Sequence, residues 1–303
     1  MKIIFILLLL SLLSGCITFP QKKDHLIYRD KPHEPKQLPV IDIPTGRIDK
    51  NLTHVEHFAL LSANVYETYE TSNSCVDDGK RFNLQQWSMI MPNDLPNFPV
   101  TPEWNIKVGV VGYEVWVNDN DKIISIVFRG TDFNEYEDWA ANLRWITRPI
   151  PLLWDQYEQV EDLISPLLDY IQNRWGNEYK VITTGHSLGG GLAQQAAYAD
   201  KRVDQVIAFD PSIVTGFYSI PAPIRNESKQ GLTIYRVYEH GEILAYLRLL
   251  MKGVFPVAVD NPDIIEVRYD LEQSNNPISQ HNMKVMACKL YDISINSSNY
   301  QVP

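Results

Sequence analysis

The sequence predicts an α/β fold in which a mostly parallel sheet carries helices on both faces. From residue 122 onward, short β-favouring runs alternate with longer segments whose apolar residues recur at helical spacing. That alternation is typical of strand–helix–strand units, and therefore of parallel sheets. In residues 181–197, four β-favouring residues lead into Gly-x-Ser-x-Gly and then a run of small residues. A strand, a sharp turn and a helix are predicted there in that order.

The N-terminal residues predict a targeting segment. Residues 1–15 start with Met1-Lys2, continue with an apolar run over Ile3–Leu13 and end before Cys16. The run is shorter than the roughly 20 residues that cross a bilayer, so a cleaved signal peptide is expected. Leu13-Ser14-Gly15-Cys16 resembles the lipobox of bacterial lipoproteins, which implies a lipidated Cys16 in the cell envelope. Ile17 favours the outer membrane, and the alternative is a plain secretory signal with a chance cysteine.

Residues 16–50 predict a tether, and residues 51–303 a single domain. The tether carries five prolines among charged residues without sustained periodicity, which is typical of an extended spacer. The domain is long enough to bury one core. Its predicted elements are a helix over 52–69, a strand over 106–117, a hairpin turn at 118–121, a strand from 123, a helix over 152–175, strands over 203–209, 232–238 and 264–269, and a helix from 283. Pro166 should kink or divide the helix over 152–175. The apolar stretch 244–255 is either a core helix or a lid that lines an acyl-chain site.

Ser187 is the candidate nucleophile. In Gly185-His186-Ser187-Leu188-Gly189 it occupies the middle of the predicted strand-to-helix turn. The two glycines are needed because a Cβ at either position would collide with a neighbouring strand or helix. Such a turn exposes the serine hydroxyl beside the first backbone N–H groups of the helix, which can bind an oxyanion.

A serine nucleophile needs a histidine base and a carboxylate that orients it, in the order serine, acid, histidine on this fold. His281 is the candidate base because it follows the last predicted strand, whereas His240 is a turn residue. For the acid, the sequence leaves Glu242 and Asp210 open. Each follows a predicted strand, and both can reach the carboxyl edge of a parallel sheet.

An oxyanion hole also needs a donor from the loop after an earlier strand. The strand Lys122–Phe128 leads into Arg129-Gly130-Thr131, which stands at such a loop. We therefore predict that the backbone N–H groups of Leu188 and Thr131 form the oxyanion hole.

Three ordered motifs resemble the class 3 lipase family of fungal triacylglycerol lipase-like enzymes. They are Ile126–Thr131, Asp138–Leu143 and Gly185–Gly190, and the similarity spans roughly residues 52 to 295. The resemblance implies an α/β-hydrolase fold, with Thr131 as the oxyanion residue, Ser187 as the nucleophile, Glu242 as the acid and His281 as the base. Two features depart from the family: Glu242 replaces its usual aspartate, and Phe209-Asp210-Pro211 replaces a small-residue turn and resembles the acid position of pancreatic-type lipases.

The expected function is hydrolysis of carboxylic esters, with acylglycerols or phospholipids as substrates. The alternative is an inactive hydrolase-fold lipoprotein that acts as a binding module. No cofactor is expected. No metal is expected either, because His54 and His57 lack a third ligand at suitable spacing.

Net charge limits the expected partners, and the cysteine count limits the possible disulfides. The formal net charge of −10 disfavours nucleic acid, so the expected partners are a lipid or ester substrate and the membrane that Cys16 would contact. The oligomeric state is left open. With Cys16 lipidated, Cys75 and Cys288 either form one disulfide or remain two buried thiols.

Overall fold

An eight-stranded, mostly parallel sheet organises the described residues of the computed structural model. The described residues are 28–29, 55–96 except 69, 76 and 78, 110–130, 151–244 except 240, and 262–298 except 270, 273–275 and 278. Cys16, Thr131, His240 and most of the segments 1–50 and 244–255 lie outside them. The strand order is β1-β10-β9-β8-β7-β6-β5-β4, and β2 and β3 form a separate pair.

Pairing is parallel from β1 to β6 along that order and antiparallel from β6 to β4. The strands are β1 Tyr28–Arg29, β2 Thr71–Ser72, β3 Arg81–Phe82, β4 Ser88–Ile90, β5 Tyr113–Asn118, β6 Ile123–Phe128, β7 Lys180–His186, β8 Gln205–Phe209, β9 Thr233–Glu239 and β10 Asp263–Tyr269. The predicted hairpin between β5 and β6 is confirmed. Strand β1 lies within the segment predicted as a tether and pairs with β10 at the edge of the sheet.

Helices cover both faces of the sheet, which confirms the predicted layers of an α/β-hydrolase fold. They are α1 Val55–Asn64, α2 Pro151–Trp175, α3 Leu188–Ala199, α4 Ala222–Ser228 and α5 Met283–Ser298. Helices α1 and α5 pack together on one face, while α3 packs against β7, α2 and α4 on the other. Among the described residues, no helix has the length and apolarity needed to span a bilayer.

The sequence predicted that Pro166 would kink or divide the long helix, and the prediction of a division is wrong. Helix α2 is continuous from Pro151 to Trp175 with Pro166 inside it. A proline within a helix costs about 3 kcal/mol. The leucines and isoleucines that flank Pro166 are fully buried in the core, and burying each such side chain contributes about 1.5–3 kcal/mol. Packing therefore outweighs the local cost.

The register of the parallel strands brings the site residues to one edge of the sheet. Phe128 is paired with Gly185, Gly185 with Ala208, and Phe209 with Val237. The strands β6, β7, β8 and β9 consequently end side by side, and the residues that follow them share the carboxyl edge.

The structure pairs Cys75 with Cys288 in a disulfide. Cys75 lies between β2 and β3, and Cys288 lies in α5, whose first residue is two positions after His281. Of the two alternatives left by the sequence, the structure has the disulfide.

Candidate active site

Ser187 occupies a strained turn between β7 and α3. Its backbone has φ +55° and ψ −121°, a conformation that residues with a side chain rarely adopt. The backbone N–H donates a hydrogen bond to the carbonyl of Phe209 at 3.0 Å, and its carbonyl accepts one from the N–H of Ser212 at 2.9 Å. These bonds, to the last residue of β8 and to the chain just after it, hold a turn that would otherwise be unfavourable. Strain of this kind is typical of nucleophile-bearing turns.

The glycines around Ser187 are required by close backbone packing, as predicted. A Cβ on Gly185 would lie 2.6 Å from the carbonyl carbon of Gly189 and 2.6 Å from the carbonyl oxygen of Phe128. A Cβ on Gly130 would lie 2.5 Å from the carbonyl oxygen of His186. The loop after β6 and the turn after β7 are thus pressed together, which is the arrangement that an oxyanion hole built from both requires.

His281 and Glu242 form a buried pair at this edge. Nδ1 of His281 lies 2.8 Å from Oε2 of Glu242, and the two side chains are 2% and 0% exposed. The same carboxylate oxygen accepts the backbone N–H of Leu244 at 2.8 Å. His281 ends a short 3₁₀ turn that leads into α5, and Glu242 follows Gly241, whose φ is +82°. Because Nδ1 is engaged by the carboxylate, Nε2 is the ring nitrogen with which His281 can serve a nucleophile.

Asp210 is buried in the same region but is held differently. Its backbone has φ +39°, and its N–H donates to the carbonyl of Val237 at 2.7 Å. Its Oδ1 accepts the backbone N–H of Glu239 at 2.9 Å. A carboxylate oxygen of Asp210 lies within 4.8 Å of one ring nitrogen of His186 and one ring nitrogen of His281, and these two nitrogens lie within 4.8 Å of each other. The hydrogen bond of 2.8 Å at Nδ1 of His281 is made with Glu242.

The sequence did not reveal the positions of two further side chains, His186 beside His281 and Tyr66 beside His186. The ring centroid of His186 lies 4.6 Å from that of His281. The hydroxyl of Tyr66, just after α1, lies 3.4 Å from Nδ1 of His186 and accepts the N–H of Gly130 at 2.9 Å. No local pattern marks Tyr66, because its contacts are with residues 64 and 120 positions away.

Of the two predicted oxyanion donors, Leu188 is described and Thr131 is not. Leu188 is the first residue of α3 and is buried directly after Ser187. Thr131 follows Gly130, where the described part of that loop ends. The oxyanion role of both residues stays a prediction.

A buried ion pair supports the strand β5 next to β6. Nη2 of Arg81 lies 2.8 Å from Oε1 of Glu114, with both side chains almost fully buried. The indole N–H of Trp116 donates to the other carboxylate oxygen at 2.7 Å. Burial raises the pKa of Glu114, although the positive charges of Arg81 and Arg129 act in the opposite direction.

Comparison with known families shows to which family the chain belongs. The Tle-like phospholipase domain model matches residues 57–209, just over half of the chain. The chain belongs to the Tle-like phospholipase domain family. The match runs from α1 to the end of β8 and includes Gly130 and Ser187. It ends before Asp210, Glu242 and His281, so those assignments depend on the geometry above.

Individual relatives are lipases. A lipase from Rhizomucor miehei is 29% identical over 117 residues, a match that covers 35% of this chain and 31% of the lipase. The chain therefore matches about a third of that relative's length. Among solved structures, Lip2 lipase from Yarrowia lipolytica is 20% identical with a TM-score of 0.47, covering 78% of this chain and 84% of that one. Lipase II from Rhizopus niveus is 20% identical with a TM-score of 0.41, covering 66% and 76%.

Proposed function

We propose that this protein is a membrane-anchored serine hydrolase that cleaves carboxylic esters of lipids, with Ser187, His281 and Glu242 as its catalytic triad. The observation that carries the proposal is the buried contact of 2.8 Å between His281 Nδ1 and Glu242 Oε2, at the sheet edge that also holds the strained Ser187 turn. A serine hydroxyl is a weak nucleophile unless a base accepts its proton. The residues needed for that activation share this edge.

The proposed reaction proceeds through an acyl-enzyme. Ser187 Oγ attacks the ester carbonyl carbon while Nε2 of His281 accepts the hydroxyl proton, and Glu242 stabilises the resulting imidazolium. The N–H groups of Leu188 and Thr131 bind the oxyanion of the tetrahedral intermediate. His281 then returns the proton to the leaving alcohol. Water, activated by the same imidazole, releases the carboxylic acid and restores the serine.

The proposed substrates are phospholipids or acylglycerols. The phospholipase description of the family and the name of the Rhizomucor miehei lipase support a lipid ester. The lipobox-like sequence before Cys16 supports lipidation and attachment to the bacterial outer membrane. Multiple acyl chains on that cysteine would anchor the protein firmly, since a single chain binds only marginally.

Turnover of three substrates tests the proposal: phosphatidylcholine vesicles, a triacylglycerol emulsion and a short soluble p-nitrophenyl ester. We expect the wild type to hydrolyse at least one lipid, and Ser187→Ala to lose that turnover while its unfolding temperature stays unchanged. Ser294→Ala is the matched control, because Ser294 lies on α5 and bonds the carbonyl of Tyr291. Turnover retained by Ser187→Ala would refute the mechanism. Lipid binding without turnover by the wild type would favour the binding-module alternative.

A further inference from the structure

A cavity of about 350 Å³ is lined by residues of helix α1, helix α5 and the segment 82–87. Its volume is at the lower end of the roughly 300–1,000 Å³ that is usual for small-molecule sites. His57, which lines it, is in the first turn of α1, whereas Tyr66, whose hydroxyl is beside His186, follows the last turn. Most of the length of α1 therefore lies between His57 and the candidate active site, and none of the described residues of that site lines the cavity.

The lining of the cavity combines aromatic rings with uncharged polar groups. Phe82, Trp87 and Tyr291 contribute the rings, and the ring centroids of Phe82 and Tyr291 are 4.6 Å apart in an edge contact. Four side-chain amides also line the cavity, those of Asn73, Asn83, Gln85 and Gln86. The described lining residues include no carboxylate, ammonium or guanidinium group. A charged ligand would therefore lose its water there without gaining an opposite charge.

The indole N–H of Trp87 is a polar group that still needs an acceptor. Trp87 is 7% exposed, and its Nε1 is buried without a hydrogen-bond partner among the described residues. A buried donor left unpaired is costly, and most such donors in folded proteins have a partner. Gln85 and Gln86 are exposed, and each amide can both donate and accept hydrogen bonds in the same cavity. The polar part of the lining therefore suits a ligand that also donates and accepts.

The walls of the cavity are held in place by contacts within the protein. The side chain of Asn64, at the end of α1, accepts the backbone N–H of Phe82 at 2.8 Å and donates to its carbonyl at 2.9 Å. The Cys75–Cys288 disulfide joins the connection between β2 and β3 to α5, the helix that carries Tyr291. A cavity with fixed walls loses little conformational freedom when a ligand binds.

We propose that this cavity binds a neutral carbohydrate of one or two pyranose rings. The C–H bonds on the face of a pyranose are weakly positive and pack against the negative faces of aromatic rings, here those of Phe82, Trp87 and Tyr291. Hydroxyl groups at the edge of the sugar both donate and accept, which matches the four amides and the indole N–H. An acyl chain would pack against the rings but leave the indole N–H unpaired. The site is independent of the proposed ester chemistry.

Calorimetric titration of the purified full-length protein tests the binding with four disaccharides: N,N′-diacetylchitobiose, cellobiose, maltose and lactose. We expect at least one to bind, with affinity reduced at least 10-fold in Gln86→Ala and in Tyr291→Ala, and thermal unfolding checks that each variant is folded. Gln230→Ala is the matched control, because Gln230 is an exposed glutamine outside the cavity. Preference for diacetylchitobiose would identify amino-sugar glycans as the source of the ligand, and preference for another disaccharide would identify hexose glycans. Failure of all four to bind at millimolar concentration, or unchanged affinity in the folded variants, would overturn the site.

Two further titrations test the location of the site and the class of its ligand. Ser187→Ala should bind the disaccharide as the wild type does, because Ser187 does not line the cavity; loss of binding in this variant would overturn the location. Octanoate should not compete with the disaccharide, and displacement by octanoate would make the cavity an acyl-chain site. Disaccharide binding by a protein without ester turnover would leave the carbohydrate site in place and refute the proposed function.

Discussion

Substitution of Glu242 separates the charge of the proposed acid from its orienting hydrogen bond. Oε2 of Glu242 accepts both the N–H of Leu244 and Nδ1 of His281, each at 2.8 Å. In Glu242→Gln, the amide oxygen has to occupy this position, because an amide nitrogen there would face the N–H of Leu244. The glutamine oxygen should therefore still accept a hydrogen bond from the Nδ1–H of His281, and His281 should keep the tautomer that leaves Nε2 able to serve Ser187.

The expected losses follow from these contacts. A carboxylate and an imidazolium with charge centres about 4 Å apart attract by roughly 4 kcal/mol at an effective dielectric constant of 20, which corresponds to about 10³-fold in kcat. Glu242→Gln removes that attraction and should reduce kcat by up to about 10³-fold. Glu242→Ala also removes the orienting bond and should approach the roughly 10⁴-fold loss seen when a triad acid is removed. Asp210→Asn should lose less than about 10²-fold, because an asparagine oxygen can still accept the backbone N–H of Glu239 and Glu242 still holds Nδ1 of His281.

Steady-state kinetics on a soluble ester measures kcat for all three variants, with thermal unfolding as the control for folding. The ordering Glu242→Ala, Glu242→Gln, Asp210→Asn from largest to smallest loss supports the assignment. A larger loss in Asp210→Asn than in Glu242→Ala would refute it and make Asp210 the acid. A loss of about 10⁴-fold or more in Glu242→Gln would refute the argument that its amide oxygen faces His281.

Three further variants test the structure around the site. Replacing Cys75 and Cys288 by serine should lower the free energy of unfolding by about 2–5 kcal/mol. Chemical denaturation of the wild type and of the double variant measures this difference. Arg81→Met should cost about 3–5 kcal/mol at pH 7, because it leaves the buried carboxyl of Glu114 without its ion-pair partner. Burial raises the pKa of Glu114 in the folded state, and Arg81 opposes that rise, so the deficit should shrink as pH falls and Glu114 becomes protonated in both folded proteins; a deficit independent of pH would contradict this. Tyr66→Phe removes the hydroxyl that accepts an N–H bond beside the predicted oxyanion loop, so kcat should fall about 10-fold while unfolding temperature changes little.

The sequence alone predicted the layers of the fold, because apolar periodicity reports which faces are buried. It also predicted the turn at Ser187, since the spacing of Gly185 and Gly189 reflects a backbone constraint that is local in the chain. His281 was chosen as the candidate base because it follows the last predicted strand, and it lies at the end of the 3₁₀ turn after β10. Its role as the base stays a prediction.

The sequence could not choose between Glu242 and Asp210, because both follow strands that end at the same edge. Their distances to His281 depend on loop paths that leave no periodic signal. The disulfide was undecided for the same reason, since its cysteines are 213 residues apart. The contact of His186 with His281 depends on a side-chain direction at a strained turn.

Mass spectrometry of the protein after treatment with a fluorophosphonate tests the central claim most directly, because the reagent modifies a serine only where a base activates it. We predict a single adduct that peptide mapping assigns to Ser187, absent from Ser187→Ala and formed far more slowly in His281→Ala. An unmodified wild type, or an adduct that persists in Ser187→Ala, would contradict the claim.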